Sequence, residues 1–440
     1  MEVSKQNYER DVVVVGAGPV GCVSALAHAA QGATVTLLEA NEAAANRLAG
    51  EWLHPPAVKI LSSLGVDLAE AVPGSCTGRG FAVYPNDGDE PVMLPYANGA
   101  WAAACEHSKL VAALRSAVRS QPNIDFVQAR VTEIDNGQTV FQRSLDGAPG
   151  RLTASRVVAA DGRGSFIKKH LGMPTKRTLM SYMAGLRLDD VTLPQPGFGH
   201  VFLGGPGPVL AYHIGPRQVR ICMDVPNGCI PVNNPADYLW AAFGPVLPPS
   251  IHAAVQRTLA TGPILWAANH VTQRTDYGAK DVAFVGDVVG SFHPLTASGI
   301  SVGFMDAVCL ARSKSLRAYR RERRYHTQVS ELLSSALYDV FTREDDSTVA
   351  LRQAIFRMWR NRPDTASQTM RLLAGEDTSV QRFSRVFLRV MGLTARQAAW
   401  ETLTKGKFSH SARVAAGLGQ RLQWLTTTTA PYLLQFPASH

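Results

Sequence analysis

After a polar opening, Met1 to Arg10, the chain enters an uninterrupted β-branched run from Asp11 to Val15. A run that is apolar at successive positions, rather than alternate ones, predicts a strand covered on both faces, as in the middle of a parallel sheet. A glycine-rich turn follows, then a helix over Ala17 to Gln31 and a second strand over Ala33 to Glu39. Residues 56–65 predict a short helix stopped by Gly65. Residues 106–120 put Leu110, Val111, Leu114 and Val118 on one helical face, and Asp125–Val131 and Arg156–Ala160 predict strands. Between 180 and 225 apolar and polar positions alternate, broken by turns at Gly204-Gly205-Pro206-Gly207 and Gly215-Pro216, which predicts an antiparallel sheet. Val282 to Val285 predicts one more buried parallel strand, and from about Ser330 onward the period is helical. No internal repeat is visible, and Thr426 to Thr429 is the sole low-complexity tract.

Composition narrows this picture. The 440 residues suffice for two or three domains, with 46% hydrophobic and 18% charged residues, an ordinary globular balance. No apolar run reaches the length of a membrane span, and the polar N-terminus predicts no secretory signal. The six cysteines, Cys22, Cys76, Cys105, Cys222, Cys229 and Cys309, form no close pair and predict free, mostly buried thiols in a cytoplasmic chain. No His/Cys cluster or His-Glu-x-x-His motif predicts a metal site. The net charge of +9 is uneven: residues 312–440 carry 21 Lys+Arg against 10 Asp+Glu, and the remainder 23 against 25. The basic character belongs to the tail. Its aromatics are not interleaved with the basic residues as a base-stacking platform requires, which argues against nucleic acid.

The chemistry-bearing pattern starts at Gly16-Ala17-Gly18-Pro19-Val20-Gly21, which fits Gly-x-Gly-x-x-Gly between a strand and a helix. In such a loop Gly16 permits the tight turn, Gly18 lets a pyrophosphate approach the backbone and Gly21 allows close helix–strand packing. The helix N-terminus faces the phosphate charge, and Glu39, ending the next strand, is placed for a ribose hydroxyl. This alone does not choose between flavin and nicotinamide dinucleotides. Two later apolar strands each end in an Asp-containing turn, Asp161-Gly162 and Gly286-Asp287, and the second runs on through His293-Pro294-Leu295-Thr296-Ala297-Ser298-Gly299. An Asp after such a strand can accept hydrogen bonds from a ribityl chain, and nearby glycines let the backbone approach a flat ring. The order of these turns points to a flavin.

With these motifs the chain resembles the FAD-dependent monooxygenases of the para-hydroxybenzoate hydroxylase fold, and within them the squalene monooxygenase (squalene epoxidase) group. The resemblance runs through Arg47-Leu48-Ala49-Gly50-Glu51-Trp52-Leu53-His54-Pro55, Asp161-Gly162, and Gly286-Asp287 to His293-Pro294-Leu295-Thr296. It covers residues 11–312 and, more weakly, the helical stretch from Leu332 to Phe387. It implies an α/β fold: a Rossmann-like FAD-binding domain (1–75, 101–179 and 276–312), an inserted antiparallel β-sheet substrate domain (76–100 and 180–275) and a helical basic C-terminal region (313–440). It also implies roles. Val20 and Glu39 contact the adenosine half of FAD, and Val131 lies against the adenine. Arg47 and Lys109 touch the cofactor, with Lys109 replacing the family's usual Arg. Asp287 binds the ribityl–pyrophosphate region, and Gly299 and Ile300 lie beside the isoalloxazine, in the loop opened by Pro294. Two departures stand out. The family's Gly-Gly-Gly after His-Pro-Leu-Thr is Ala297-Ser298-Gly299 here, and a Gln–Tyr pair near the flavin appears as His54 and Phe81. They leave the flavin site intact and the substrate open.

The resemblance implies an enzyme that uses O2 and electrons from NAD(P)H, taken directly or through a reductase. It would epoxidise or hydroxylate an apolar, aromatic or prenylated small molecule through a flavin hydroperoxide, in secondary metabolism. The alternative on the same fold is a flavin-dependent reductase of the geranylgeranyl-reductase type, which saturates double bonds and consumes no O2. The cofactor carries the hard chemistry, so few acid–base side chains are required; His54 is the one candidate polar catalytic group, orienting substrate or assisting a proton transfer, with a histidine hydrogen-bonded beside Pro55 for structural reasons as the alternative. His293, before a proline, is expected to shape the flavin loop. In the tail, Val380, Phe383, Val386, Phe387, Val390 and Leu393 recur at helical spacing beside Arg382, Arg385 and Arg389, and Arg317, Arg320, Arg321, Arg323 and Arg324 form a cluster. These features fit two readings: a helical cap packed on the core with a solvated basic face, or a peripheral contact with an anionic membrane surface.

Overall fold

The computed structural model describes residues 7–41, 43, 48–135, 138–143, 147–173, 175–229 and 234–433. Its first sheet is built on the strand Asn7–Val15, flanked by the parallel strands Val35–Glu39 and Pro149–Ala159. Ile124–Asp135 extends it beyond Val35–Glu39, and Val282–Phe284 beyond Pro149–Ala159, both parallel. Val13 pairs with Thr36 on one side and with Val157 on the other, and Val12 to Val14 are buried. This burial on both faces explains the continuous apolar run. A feature the sequence pattern did not predict, the strand Gln138–Arg143, pairs antiparallel with both Ile124–Asp135 and Pro149–Ala159. The strands ending at Val15, Glu39, Ala159 and Phe284 all finish at the same edge of the sheet, where ligands of such sheets bind.

The second sheet has seven strands, in the order Leu265–Val271, Thr178–Asp189, Gln218–Pro226, Val209–Gly215, Phe198–Phe202, Gly80–Tyr84 and Val92–Pro95. All pairings are antiparallel except that of Phe198–Phe202 with Gly80–Tyr84. Along Gln218–Pro226 every interior residue is buried, because the sheet is covered on both sides. On the outer face lie two helices, Pro235–Phe243 and Pro249–Thr261, each opened by a proline in its first turn. On the inner face lie helices of the C-terminal region, Gln328–Thr342, Asp346–Asn361, Pro363–Leu373, Val380–Lys405 and Phe408–Leu433. A small third sheet has the order Trp52–Leu53, Ala102–Ala104 and Cys76–Gly78.

The helical region begins earlier than its period predicted, with Gly299–Arg312 and Leu316–His326. The first of these packs against Pro19–Ala29, the helix of the glycine-rich turn. In the tail, packing favours the reading of a helical cap on the core. Val380, Phe383 and Val390 are buried in the inner core, so that stripe is not a membrane face. Arg323 is also buried, through an ion pair with Asp306, and leaves the surface cluster.

Candidate functional site

The three glycines of the first turn divide into two kinds. Gly16 has φ +99°, and a Cβ there would stand 2.7 Å from the Ala160 carbonyl oxygen; one on Gly21 would overlap the Gly16 carbonyl. Both are demanded by the fold. At Gly18 an added Cβ would meet nothing within 4 Å, so the backbone there faces open space. Gly18 is also the N-cap of helix Pro19–Ala29 and supplies no side-chain cap, which leaves the first amides free for an anion. Beside this loop Glu39 accepts a hydrogen bond from the Ala17 amide at 2.6 Å and another from the Asn41 amide at 2.9 Å. Arg115 holds the group together: its Nε donates to the Ala17 carbonyl at 2.9 Å, its Nη1 to the Asn41 carbonyl at 3.2 Å, and its Nη2 lies 3.4 Å from Glu39. Sequence reasoning passed over Arg115. The available signal was an arginine one turn beyond Val111, on the apolar face of the helix His107–Arg119.

The second turn is fixed by a buried charge cluster. The Gly286 amide donates to Asp306 Oδ2 at 3.0 Å. Asp306 is fully buried and pairs with both Arg274 and Arg323, the latter at 2.8 Å. Arg274 in turn donates to the Gly286 carbonyl at 3.1 Å and the Gly290 carbonyl at 2.8 Å. Burial works against the charge of the Arg274 guanidinium, but the neighbouring Asp306 carboxylate holds it above its usual range. Gly286 itself, at φ +63°, packs against Val20 of the first turn.

Asp287 faces a cavity of about 940 Å³, bordered also by Gly162, Arg163, Lys168 and Arg177. Arg163 Nε stands 3.5 Å from the Asp287 carboxylate. Asp161 uses its carboxylate locally: one oxygen accepts from the Ser165 hydroxyl at 2.7 Å and the other from the Ile167 amide at 3.2 Å. Burial raises its pKa, and those hydrogen bonds oppose the rise.

The third part is the turn Pro294–Thr296, followed by Ala297 at φ +51° and the helix Gly299–Arg312. Gly299 faces open space, and Ile300 fills the room beside Gly50, where a Cβ would come within 2.7 Å of its Cδ1. His54 is buried beneath the turn. Its Nε2 lies 2.9 Å from the Thr296 carbonyl, its Nδ1 2.6 Å from the Tyr96 hydroxyl, and its amide donates to Ser301 Oγ at 3.2 Å. Tyr96 also accepts from Trp52 Nε1 at 3.0 Å. Phe81, at the position matched to the family's tyrosine, has no hydroxyl; the hydroxyl on His54 comes from Tyr96 instead, which sequence reasoning did not single out.

The remaining candidates fall around these parts. Lys109 is half-exposed in the first turn of its helix, 3.5 Å from Glu106. The same helix reaches Gly50 through His107 Nδ1, 3.1 Å from the Gly50 carbonyl. Val131 is buried in its strand and paired with Phe141. Arg47 lies outside the described residues.

Burial pushes the His54 pKa down to about 4, against the pull of its bond to Thr296, and does the same to His28 and His200. Their unfolded value is 6.5, so as the pH falls the unfolded chain takes up these protons first. The stabilisation is complete above about pH 6.5 and is lost towards pH 4, at up to about 1.4 kcal/mol per pH unit for each histidine. Urea midpoints measured across that window are expected to fall steadily with acidification; a flat profile would contradict the neutral assignments.

FAD fits these residues. Open backbone at Gly18 with Glu39 beside it suits a phosphate and a ribose, and open backbone at Gly299 beside Ile300 suits a flat ring. Comparison with known proteins agrees. A family model described as squalene epoxidase matches residues 153–398, and one described as FAD dependent oxidoreductase matches residues 11–73. The squalene epoxidase erg1 of Aspergillus fumigatus is 30% identical over 385 residues, covering 80% of this chain and 79% of that one. The squalene monooxygenase of Mus musculus is 25% identical, covering 91% of this chain and 75% of its own. Among solved structures, the flavin-dependent brominase Bmp2 superposes with a TM-score of 0.70 at 17% identity, over 85% of this chain and 95% of that one. The p-nitrophenol 4-monooxygenase PnpA of Pseudomonas putida gives 0.69 at 18%, over 84% and 97%. At such identities these two establish the fold alone.

Fold, site and relatives together define an FAD-dependent monooxygenase. The chain belongs to the squalene epoxidase family.

Proposed function

We propose that this enzyme inserts one oxygen atom of O2 into an apolar small molecule, aromatic or prenylated, by epoxidation or hydroxylation. One observation carries this reading. Leu295 of the turn beside the flavin site shares an apolar chamber with Phe81, Leu94, Leu337, Phe341, Trp359 and Met370. A substrate there would meet carbon on almost every side, and burying it would exclude the water that otherwise diverts the reaction. The chamber is narrow, with about 30 Å³ of free space, room for roughly one water. A substrate must therefore shift the helices Gln328–Thr342, Asp346–Asn361 and Pro363–Leu373 that wall it.

Bound FAD would supply the electron storage and O2 activation that side chains lack. The protein's part is to hold the Gly16–Gly21 and Gly286–Asp287 turns around the dinucleotide, to keep the Pro294–Ile300 segment beside the ring and to orient an apolar substrate. Electrons come from NAD(P)H, directly or through a reductase partner, and the place of such a reaction is secondary metabolism. The test is oxygen uptake by the FAD-loaded protein with NAD(P)H, with and without an added reductase, over a panel of polyprenyl and aromatic compounds. Uptake stimulated by apolar members supports the proposal. Saturated double bonds without oxygen uptake would point to the reductase chemistry instead.

A peripheral membrane contact belongs to the same proposal, moved to a different surface. No helix among the described residues is long and apolar enough to cross a membrane. At the tip between the helices Val380–Lys405 and Phe408–Leu433, Leu403 is 86% and Phe408 71% exposed, with Trp400 beside them and Lys405 and Lys407 between. Apolar side chains framed by lysines suit the interface of an anionic bilayer. Flotation with anionic liposomes is expected to carry the protein upward, and Leu403→Asp with Phe408→Asp to abolish this. Wild-type protein that stays at the bottom at low salt would rule the contact out.

A further inference from the structure

We propose that Tyr96 and the Ser181–Asp224 pair are positioning groups for the flavin: each fixes the single proton of one buried histidine, and the two histidines hold the Pro294–Thr296 turn at adjacent residues. This rests on the FAD monooxygenase reading and deepens it.

A neutral imidazole has one nitrogen that donates and one that accepts. The Thr296 carbonyl, 2.9 Å from His54 Nε2, can only accept, so Nε2 carries the proton. Nδ1 must then accept, and the Tyr96 hydroxyl at 2.6 Å donates to it while accepting from Trp52 Nε1. Every donor in this chain points the same way, from Trp52 through Tyr96 and His54 to the turn.

His293 is arranged in reverse. Its Nδ1 lies 3.3 Å from the Leu295 amide, which can only donate, so Nδ1 accepts and the proton again sits on Nε2. Nε2 faces Ser181 Oγ at 3.0 Å and Asp224 Oδ1 at 3.2 Å. Asp224 is fully buried and takes hydrogen bonds from the Ser181 hydroxyl, from Asn269 Nδ2 at 3.1 Å and from the Tyr338 hydroxyl at 3.2 Å. A carboxylate held by neutral donors anchors the imidazole proton and leaves Nδ1 free to accept.

The two grips fall on adjacent residues, the Thr296 carbonyl and the Leu295 amide, and are rooted in different elements. One reaches Trp52 in the small third sheet. The other reaches three strands of the second sheet and the helix Gln328–Thr342. What they hold needs holding. Ala297, next along the chain, adopts a left-handed conformation that alanine keeps only when its surroundings impose it. The helix starting at Gly299, whose free amides favour negative charge, is aimed by that residue. Releasing either grip would let those amides drift from the ring and disfavour the electron-rich reduced cofactor.

The test uses the two amide residues that mimic one ring nitrogen each. Asparagine places its amide where Nδ1 stood, and glutamine where Nε2 stood. At position 54 the turn is held through Nε2, so His54→Gln keeps the grip and His54→Asn loses it. At position 293 the turn is held through Nδ1, so His293→Asn keeps it and His293→Gln loses it. In FAD-loaded protein the two losing variants are expected to change the visible circular dichroism of the flavin and lower its two-electron potential by about 30 mV, a tenfold change in relative affinity for the two redox forms. The two keeping variants should stay near wild type. Tyr96→Phe, which removes one hydroxyl, should give the spectral change of His54→Asn and add nothing to it in the double variant. A pattern that is not crossed in this way, or an unchanged flavin spectrum in Tyr96→Phe, overturns the proposal. Wild-type protein that binds no FAD overturns the functional reading beneath it instead.

Discussion

Asp306→Ala is expected to lower stability by about 3–5 kcal/mol and to strip the protein of FAD, because it leaves two buried guanidinium groups without their counter-charge. Asp306 is the only carboxylate paired with Arg274 and with Arg323 among the described residues, and it also accepts the Gly286 amide. Removing it disorders the Gly286 turn at the same stroke, since Arg274 is the group that holds the Gly286 and Gly290 carbonyls. Asp306→Asn keeps an acceptor for the amide and is expected to fall between the two. Denaturation midpoints and the flavin-to-protein absorbance ratio measure both effects. Unchanged values in Asp306→Ala would mean that the cluster does not hold the turn.

Gly18→Val should separate the ligand from the fold. Gly18 has φ −72°, which any residue adopts, and a Cβ there touches nothing in the protein. Stability should therefore shift by no more than about 0.5 kcal/mol, as for other substitutions that disturb no packing. The valine would instead stand where the pyrophosphate must approach, and FAD affinity should drop on the order of 100-fold, about 2.7 kcal/mol. Gly16→Ala behaves differently: its Cβ collides with Ala160 and its φ is left-handed, so stability and cofactor are lost together. Titrating apoprotein with FAD and measuring its unfolding midpoint distinguishes the two glycines. Wild-type affinity in Gly18→Val would place the phosphates elsewhere.

The features that the sequence made legible are those written in local pattern. A β-branched run, glycines at fixed spacing and an Asp after each of two later strands were enough to read the parallel sheet, its ligand-binding edge and the flavin. The residues that hold these pieces are paired over long stretches of chain, and local pattern does not encode such pairs. Asp306 reads as a lone acid in an apolar helix, and Arg323 as one of five similar arginines, until the fold brings them to Arg274. Tyr96 has no signal of its own; it matters because it lies across from His54. The stripe Val380 to Leu393 looked like a membrane face because a buried helix and an interfacial one share the same period, and only the packing of Val380, Phe383 and Val390 tells them apart. The helices Pro235–Phe243 and Pro249–Thr261 show the converse, where prolines that open helices interrupt a sheet-like region.

An FAD site and an apolar chamber lined by Leu295 of the Pro294–Thr296 turn together make this chain an oxygenase for an apolar substrate. Turnover under 18O2 by the purified, FAD-loaded protein, with NAD(P)H and a reductase, tests it most directly. The expected result is a product of the panel compound carrying one 18O atom, formed by the wild type and not by Gly18→Val. A product labelled from water, or none from a protein whose flavin is bound and reduced, would contradict it.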